Sequence, residues 1–193
     1  MSLSYVLDAP ARTIADALGA DCGNDPWEGG AVTAGSYAPV VIKGRDGRRR
    51  LVPRQFGVPP PPRSANPHVV TTLRNLESPF WIGTLRHTQF RCLVPATHLA
   101  LGGRGRWWVS TEGPIMALAG IWRDSEVPSF AVVTVAVDRL SGPADLPQTA
   151  PLLLTPREQA RWLTDAWADA EALARPLHPD RLRRIRSGNE SDG

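Results

Sequence analysis

A chain of 193 residues, 42% hydrophobic and 21% charged, is long enough for one domain with a real core. No apolar run is long enough to span a bilayer, and the opening MSLSYVLDAP lacks the charged-then-apolar pattern of a secretory signal, so a cytoplasmic protein is expected. Cys22 and Cys92 are the only cysteines, too few and too scattered for a disulfide framework or a zinc site, and no cofactor is implied. The formal charge is +3, and Lys43 is the single lysine among 22 basic residues. Arginine forks suit phosphate, but a GC-rich coding bias produces the same preference, so the excess alone names no partner.

In chain order, Asp8 and Pro10 start a helix with Ile14 and Leu18 on one face, and Gly19 closes it. APVVIKGRDGRRRLVP has two β-rich arms around Asp46-Gly47, a hairpin signal. GVPPPPRSANP is too proline-rich for helix or sheet and reads as an extended surface connection. Ser78-Pro79 caps a short helix carrying Phe80 and Trp81. Strand-like runs follow in FRCLVPA, RWWVST, IMALAGIW and SFAVVTVAV. Thr155 to Glu158 (TPRE) is a capping box with proline at the first helical position, opening a helix through Trp162 and Leu163. A second short helix is predicted over about 166–174. Residues 1–186 read as a single domain, and SGNESDG at 187–193 as a disordered polar tail.

Five pieces then carry a resemblance: GNDPWEGG (23–30), TLRNLESPFW (72–81), RCLVPAT (91–97), ALAGIWR (117–123) and APLLLTPREQARWL (150–163). In this order and spacing the chain resembles the SOS-response-associated peptidase (SRAP) family over nearly its whole length, up to about Leu182. The resemblance implies an α+β fold with a twisted, barrel-like, mostly antiparallel sheet flanked by short helices. It also implies binding to single-stranded DNA and to DNA with a 3′ junction, and covalent crosslinking to abasic sites. In that family the chemistry uses an N-terminal cysteine, freed by removal of the initiator methionine, whose thiol and α-amine close a thiazolidine on the abasic aldehyde. An asparagine, a glutamate and a histidine serve the same pocket.

The sequence departs from the pattern at each of these places. Ser2 replaces the cysteine, and a hydroxyl is a far poorer nucleophile than a thiolate. Thr72 stands at the asparagine, although Arg74 is kept; Leu101 stands at the glutamate, followed by Gly102 in place of tryptophan; Leu146 stands at the histidine. Two aliphatic side chains cannot move protons. The expectation is therefore a degenerate, catalytically inactive member, a monomer that still binds single-stranded or abasic DNA noncovalently. Arg74 is then the principal contact, supported by Arg45, Arg48, Arg49 and Arg50 in GRDGRRR and by Arg104 and Arg106 beside Trp107 and Trp108. The bland alternative is that the hairpin arginines serve solubility and the tryptophans fill the core. The family's Arg-Trp-Gly run is here Gln55-Phe56-Gly57, which loses a cation.

Two other readings stay open: an active protein in which the Ser2 α-amine, with a pKa of about 8, attacks the aldehyde unaided, and a scaffold that has lost DNA altogether. Cys92 and His98 do not form a nucleophile and base, because six residues of extended strand separate them by about 20 Å. Cys92 reads as a buried structural thiol, His98 as a surface or pocket-lining imidazole, and His68, His87 and His178 show no metal-ligand spacing. Asp21, Asp25 and Glu28 read as part of a solvated loop.

Overall fold

A computed structural model of the protein describes residues 3–64, 67–102, 106–138 and 147–185. After strand β1 (Ser4–Leu7), helix α1 (Ala11–Leu18) starts behind the extended Pro10 and buries Ala11, Ile14, Ala15 and Leu18. Gly19 ends it at φ +60°, where a side chain would be strained. Strand β2 (Gly30–Val32) is followed by the expected hairpin, β3 (Tyr37–Lys43) and β4 (Arg49–Phe56), turning through Asp46 and Gly47. The proline-rich connection forms no helix and leads into the short β5 (Thr72–Leu73).

Helix α2 (Pro79–Leu85) is capped by Ser78, whose Oγ accepts from the Phe80 amide. Strands β6 (Arg91–Ala96), β7 (His98–Ala100), β8 (Trp107–Ser110), β9 (Met116–Arg123), β10 (Ser129–Ala136) and β11 (Thr149–Pro151) come next. The capping box forms as predicted at α3 (Pro156–Thr164): Thr155 Oγ1 accepts from the Glu158 amide and Glu158 accepts from the Thr155 amide. The next helix, α4 (Trp167–Glu171), is shorter than predicted. Beyond it the Leu173 and Ala174 amides reach back only three residues, to Ala170 and Glu171, as the chain tightens ahead of Pro176. Strand β12 (Leu182–Ile185) ends the described chain.

One sheet has the order β12-β8-β7-β1-β2 and is antiparallel throughout. The other runs β11-β10-β4-β3-β6-β9, and β9 pairs back onto β10 to close a ring. Among the described strands the parallel pairings are those of β4 and β5 with β10, each over a short stretch. The fold is thus α+β, with a twisted ring-like sheet, mostly antiparallel, and short helices around it. Tyr5 joins the sheets, meeting Phe56 edge-on at 5.4 Å while Phe56 stacks on Phe130 at 5.0 Å.

Two features of the ring matter later. Pro39 of β3 lies directly opposite Pro53 of β4. Arg91, fully buried, donates from Nη1 to the Trp162 carbonyl at 2.7 Å and from Nη2 to the Asp165 carbonyl at 2.6 Å, tying the end of α3 to β6. Trp162 in turn donates from Nε1 to the carbonyls of Cys92 and Gly120, both at 3.1 Å.

Candidate functional site

Thr72 lies on β5 and Leu101 just beyond β7, and the two sheets bring them to one cavity of about 50 Å³. Leu3, Ala100 and Thr134 line it as well, with Thr149, Ala150 and Pro151 from β11. Local bonds explain the convergence. The Leu3 amide donates to Thr71 Oγ1 at 3.4 Å, which sets the start of β1 beside β5. Thr134 Oγ1 donates to the Leu73 carbonyl at 3.3 Å, fixing β5 on β10. Leu101 is held by its amide to the Arg106 carbonyl at 3.2 Å and by its carbonyl, which accepts from Trp108 Nε1 at 3.3 Å.

Every described residue lining this cavity is aliphatic, proline or threonine, so none can act as general acid or base near neutral pH. The Thr72 and Thr149 hydroxyls can donate to a sugar or phosphate oxygen, and Thr134 Oγ1, which donates to Leu73, can still accept; no more reactive group lines the cavity among the described residues. Ser2, Leu146 and Arg104 lie outside the described residues, as does the tail at 187–193.

The arginines divide. Arg74, two residues beyond Thr72, is exposed, and its guanidinium makes no hydrogen bond or ion pair among the described residues. Arg106, just before β8, donates from Nη1 to the Gly102 carbonyl at 3.2 Å. The hairpin arginines sit elsewhere. Gln55 at the far end of β4 pairs with Ser129, and the cavity's Thr134 lies further along β10 in the same direction. Arg49 is six residues the other way, about 20 Å along the strand. Arg49 is also engaged: it is half-buried, donating to the Leu18 carbonyl at 2.8 Å and to Gln159 Oε1 at 3.3 Å. Arg50 pairs with Asp46 at 2.7 Å, while Arg45 and Arg48 are exposed at the tip. The hairpin arginines therefore lie away from the cavity. Trp108 is core, and Trp107 is half-buried.

Cys92 is buried on β6, and its thiol is pushed up by that burial, partly opposed by Arg54. Such a thiol stays protonated and unreactive. Burial likewise raises the Tyr5 phenol. His98 lines a separate polar groove with Asp8, Thr97 and Arg183. Its Nδ1 lies 2.9 Å from Thr97 Oγ1, whose proton already goes to the Val6 carbonyl, so Nδ1 is the donor. Among the described residues no group of three or more His, Cys, Asp or Glu side chains is placed to hold a metal ion, and no helix is long and apolar enough to cross a membrane.

No family model matches the chain, and no curated protein matches it. Solved structures do. A Bacteroides thetaiotaomicron protein superposes with a TM-score of 0.74 at 18% identity, covering 97% of this chain and 92% of that one. A Bordetella bronchiseptica protein gives 0.73 at 15% identity, covering 97% and 99%. A phage-related protein from the same organism gives 0.70 at 17% identity, covering 97% and 94%. At these identities the likeness establishes a shared fold over whole chains and says nothing about chemistry.

Proposed function

We propose that this chain is a divergent SRAP-family protein without the family's catalytic groups, binding single-stranded or abasic-site DNA noncovalently in a DNA-damage context. One observation carries the reading. Thr72 and Leu101, far apart in sequence, meet around a single cavity with Leu3, the residue after Ser2, and with Thr149, three residues after Leu146. These are the places, or the chain neighbours of the places, at which the family keeps its reacting groups. Here the lining is neutral, which suits holding a ligand and not transforming it. Arg74, two residues along the chain from Thr72, is exposed and makes no hydrogen bond or ion pair among the described residues, which leaves its charge for phosphate.

The test is a denaturing gel of untagged protein with an abasic single strand and no reductant, beside a salt titration of binding to the same strand. The expected result is no heat-stable band and a saturable affinity that falls steeply with salt, as released counterions require. A heat-stable crosslink from the wild-type protein would make it an active enzyme. Absence of binding at low salt would leave the cavity without a nucleic-acid role.

A further inference from the structure

The loop after α1 carries GNDPWEGG, a stretch for which the cavity has no use, and packs beside the β3–β4 hairpin. Together they form a second groove, of about 180 Å³, walled by Pro26, Trp27, Tyr37, Pro39 and Pro53. Its chemistry is unlike that of the cavity. Tyr37 is the most exposed large hydrophobic residue described, at 58%. Trp27 is fixed on three sides: its amide donates to Asp25 Oδ1 at 3.0 Å, its carbonyl accepts from the Ala11 amide at 2.7 Å, and its Nε1 donates to the Leu7 carbonyl at 3.3 Å. The indole ring is thus a rigid wall with no donor to spare. The Tyr37 hydroxyl is left as the polar atom above an aromatic and prolyl floor.

The groove's charge is acidic. Asp25 and the exposed Glu28 line it; Asp25 Oδ1 is taken by the Trp27 amide and its Oδ2 is buried without a partner among the described residues, so Glu28 is the carboxylate open to a ligand. No basic residue does, and Arg54, one position from Pro53, is turned onto the Trp122 ring at 4.5 Å. Carboxylates repel phosphate, so this surface is ill-suited to nucleic acid. Rigid aromatic and prolyl walls accept the ridges of a polyproline II helix, whose carbonyls are unbonded and whose ordering cost is already low. The acidic side then matches a basic residue flanking the prolines.

The geometry points to a docking groove for a proline-rich, arginine-bearing segment of a partner protein in polyproline II form. Tyr37 donates to a prolyl carbonyl, Trp27 and Pro53 hold the rings, and Glu28 takes the guanidinium. The chain's own Pro59–Arg63 run is not that ligand. Its path bends where the Ser64 amide reaches the Pro61 carbonyl at 3.0 Å and Arg63 sits at φ +65°, so arginine and prolines do not lie on one straight rod. This inference stands apart from the DNA reading.

The experiment uses the full chain and a fluorescently labelled oligoproline peptide ending in arginine, followed by anisotropy. Expected are saturable binding, a loss of about tenfold or more for Tyr37→Ala, and a smaller loss for Tyr37→Phe. The variant Glu28→Gln should bind arginine-ended and alanine-ended peptides alike. Tyr37 is exposed, so its variants should melt like wild type, which separates lost docking from lost fold. Four results would overturn the inference: no saturation by the peptide, equal binding by Tyr37→Ala, competition for the groove by a single-stranded oligonucleotide, or concentration-dependent self-association abolished by Tyr37→Ala, which would make a second copy the occupant.

Discussion

The buried socket around Arg91 and the exposed stretch at Arg74 use the same side chain in opposite ways. Arg91 has no exposed surface, and its fork is closed on two carbonyls at the end of α3. Arg74, two residues beyond Thr72, is exposed and makes no hydrogen bond or ion pair among the described residues. Arg49 belongs with the first kind, despite its place in the basic run of the hairpin. A guanidinium already committed to backbone oxygens holds the fold, and only an uncommitted one is available to a ligand. The arginine excess of this chain is therefore two populations, and charge count does not separate them.

Arg91→Ala should produce the largest effect, about 3–5 kcal/mol of lost stability in urea unfolding, since it removes two charge-assisted bonds and leaves a void beneath Trp162. Arg91→Lys should restore less than half, because an ammonium cannot span both carbonyls. Gly120→Ala tests the packing of the same socket. An added Cβ would meet Val94 Cγ2 at 2.7 Å and Cys92 Sγ at 3.0 Å. A cost of about 1–3 kcal/mol is expected from overpacking.

Arg49→Ala and Arg74→Ala sharpen the contrast when both are measured twice. Arg49→Ala should cost about 1–2 kcal/mol of stability and change single-strand affinity little. Arg74→Ala should leave the melting temperature unchanged and weaken affinity by about 1–3 kcal/mol. The reverse assignment would erase the distinction between the two populations. The smallest effect belongs to the exposed Asp46–Arg50 pair. The Asp46 carboxyl is held below its usual range, first by the Arg48 amide and then by Arg50. A carboxylate depressed in the folded state stabilises above its unfolded pKa and loses that contribution as pH falls through the folded value. An NMR titration should find its midpoint lower in the native protein than in urea, with Asp46→Asn barely changing the unfolding midpoint.

What the sequence made legible is what is local. Gly19, Asp46-Gly47, Ser78-Pro79 and the Thr155–Glu158 box each act within a few residues, and each forms where it is written. The buried role of Arg91 was not legible, because its acceptors lie 71 and 74 residues downstream. Nor were the parallel contacts of β4 and β5 with β10, which depend on the closure of the ring. The meeting of Thr72 and Leu101 could be expected only from the resemblance, since neither side chain carries a chemical signal of its own. The distance of the hairpin arginines from the cavity was not legible either, because sequence hides the length of strand between tip and cavity. The groove at Trp27 and Tyr37 escaped notice because its walls come from a loop and two strands, and Asp25 and Glu28 read as solvated.

The facing prolines of β3 and β4 bear on how the chain avoids its own kind. Opposed prolines cannot exchange hydrogen bonds, so Pro39 and Pro53 form the open type of cross-strand pair, with their backbones turned outward. On that outer edge of β4 the Leu51 amide is taken by the Asp21 carbonyl at 2.9 Å and the Gln55 amide by the Pro128 carbonyl at 3.0 Å. Position 53 lies in the gap between them. Any other residue there would leave a bare donor on an uncovered stretch of strand, a ready template for a neighbouring chain. Proline removes the donor, and Arg54 beside it adds charge.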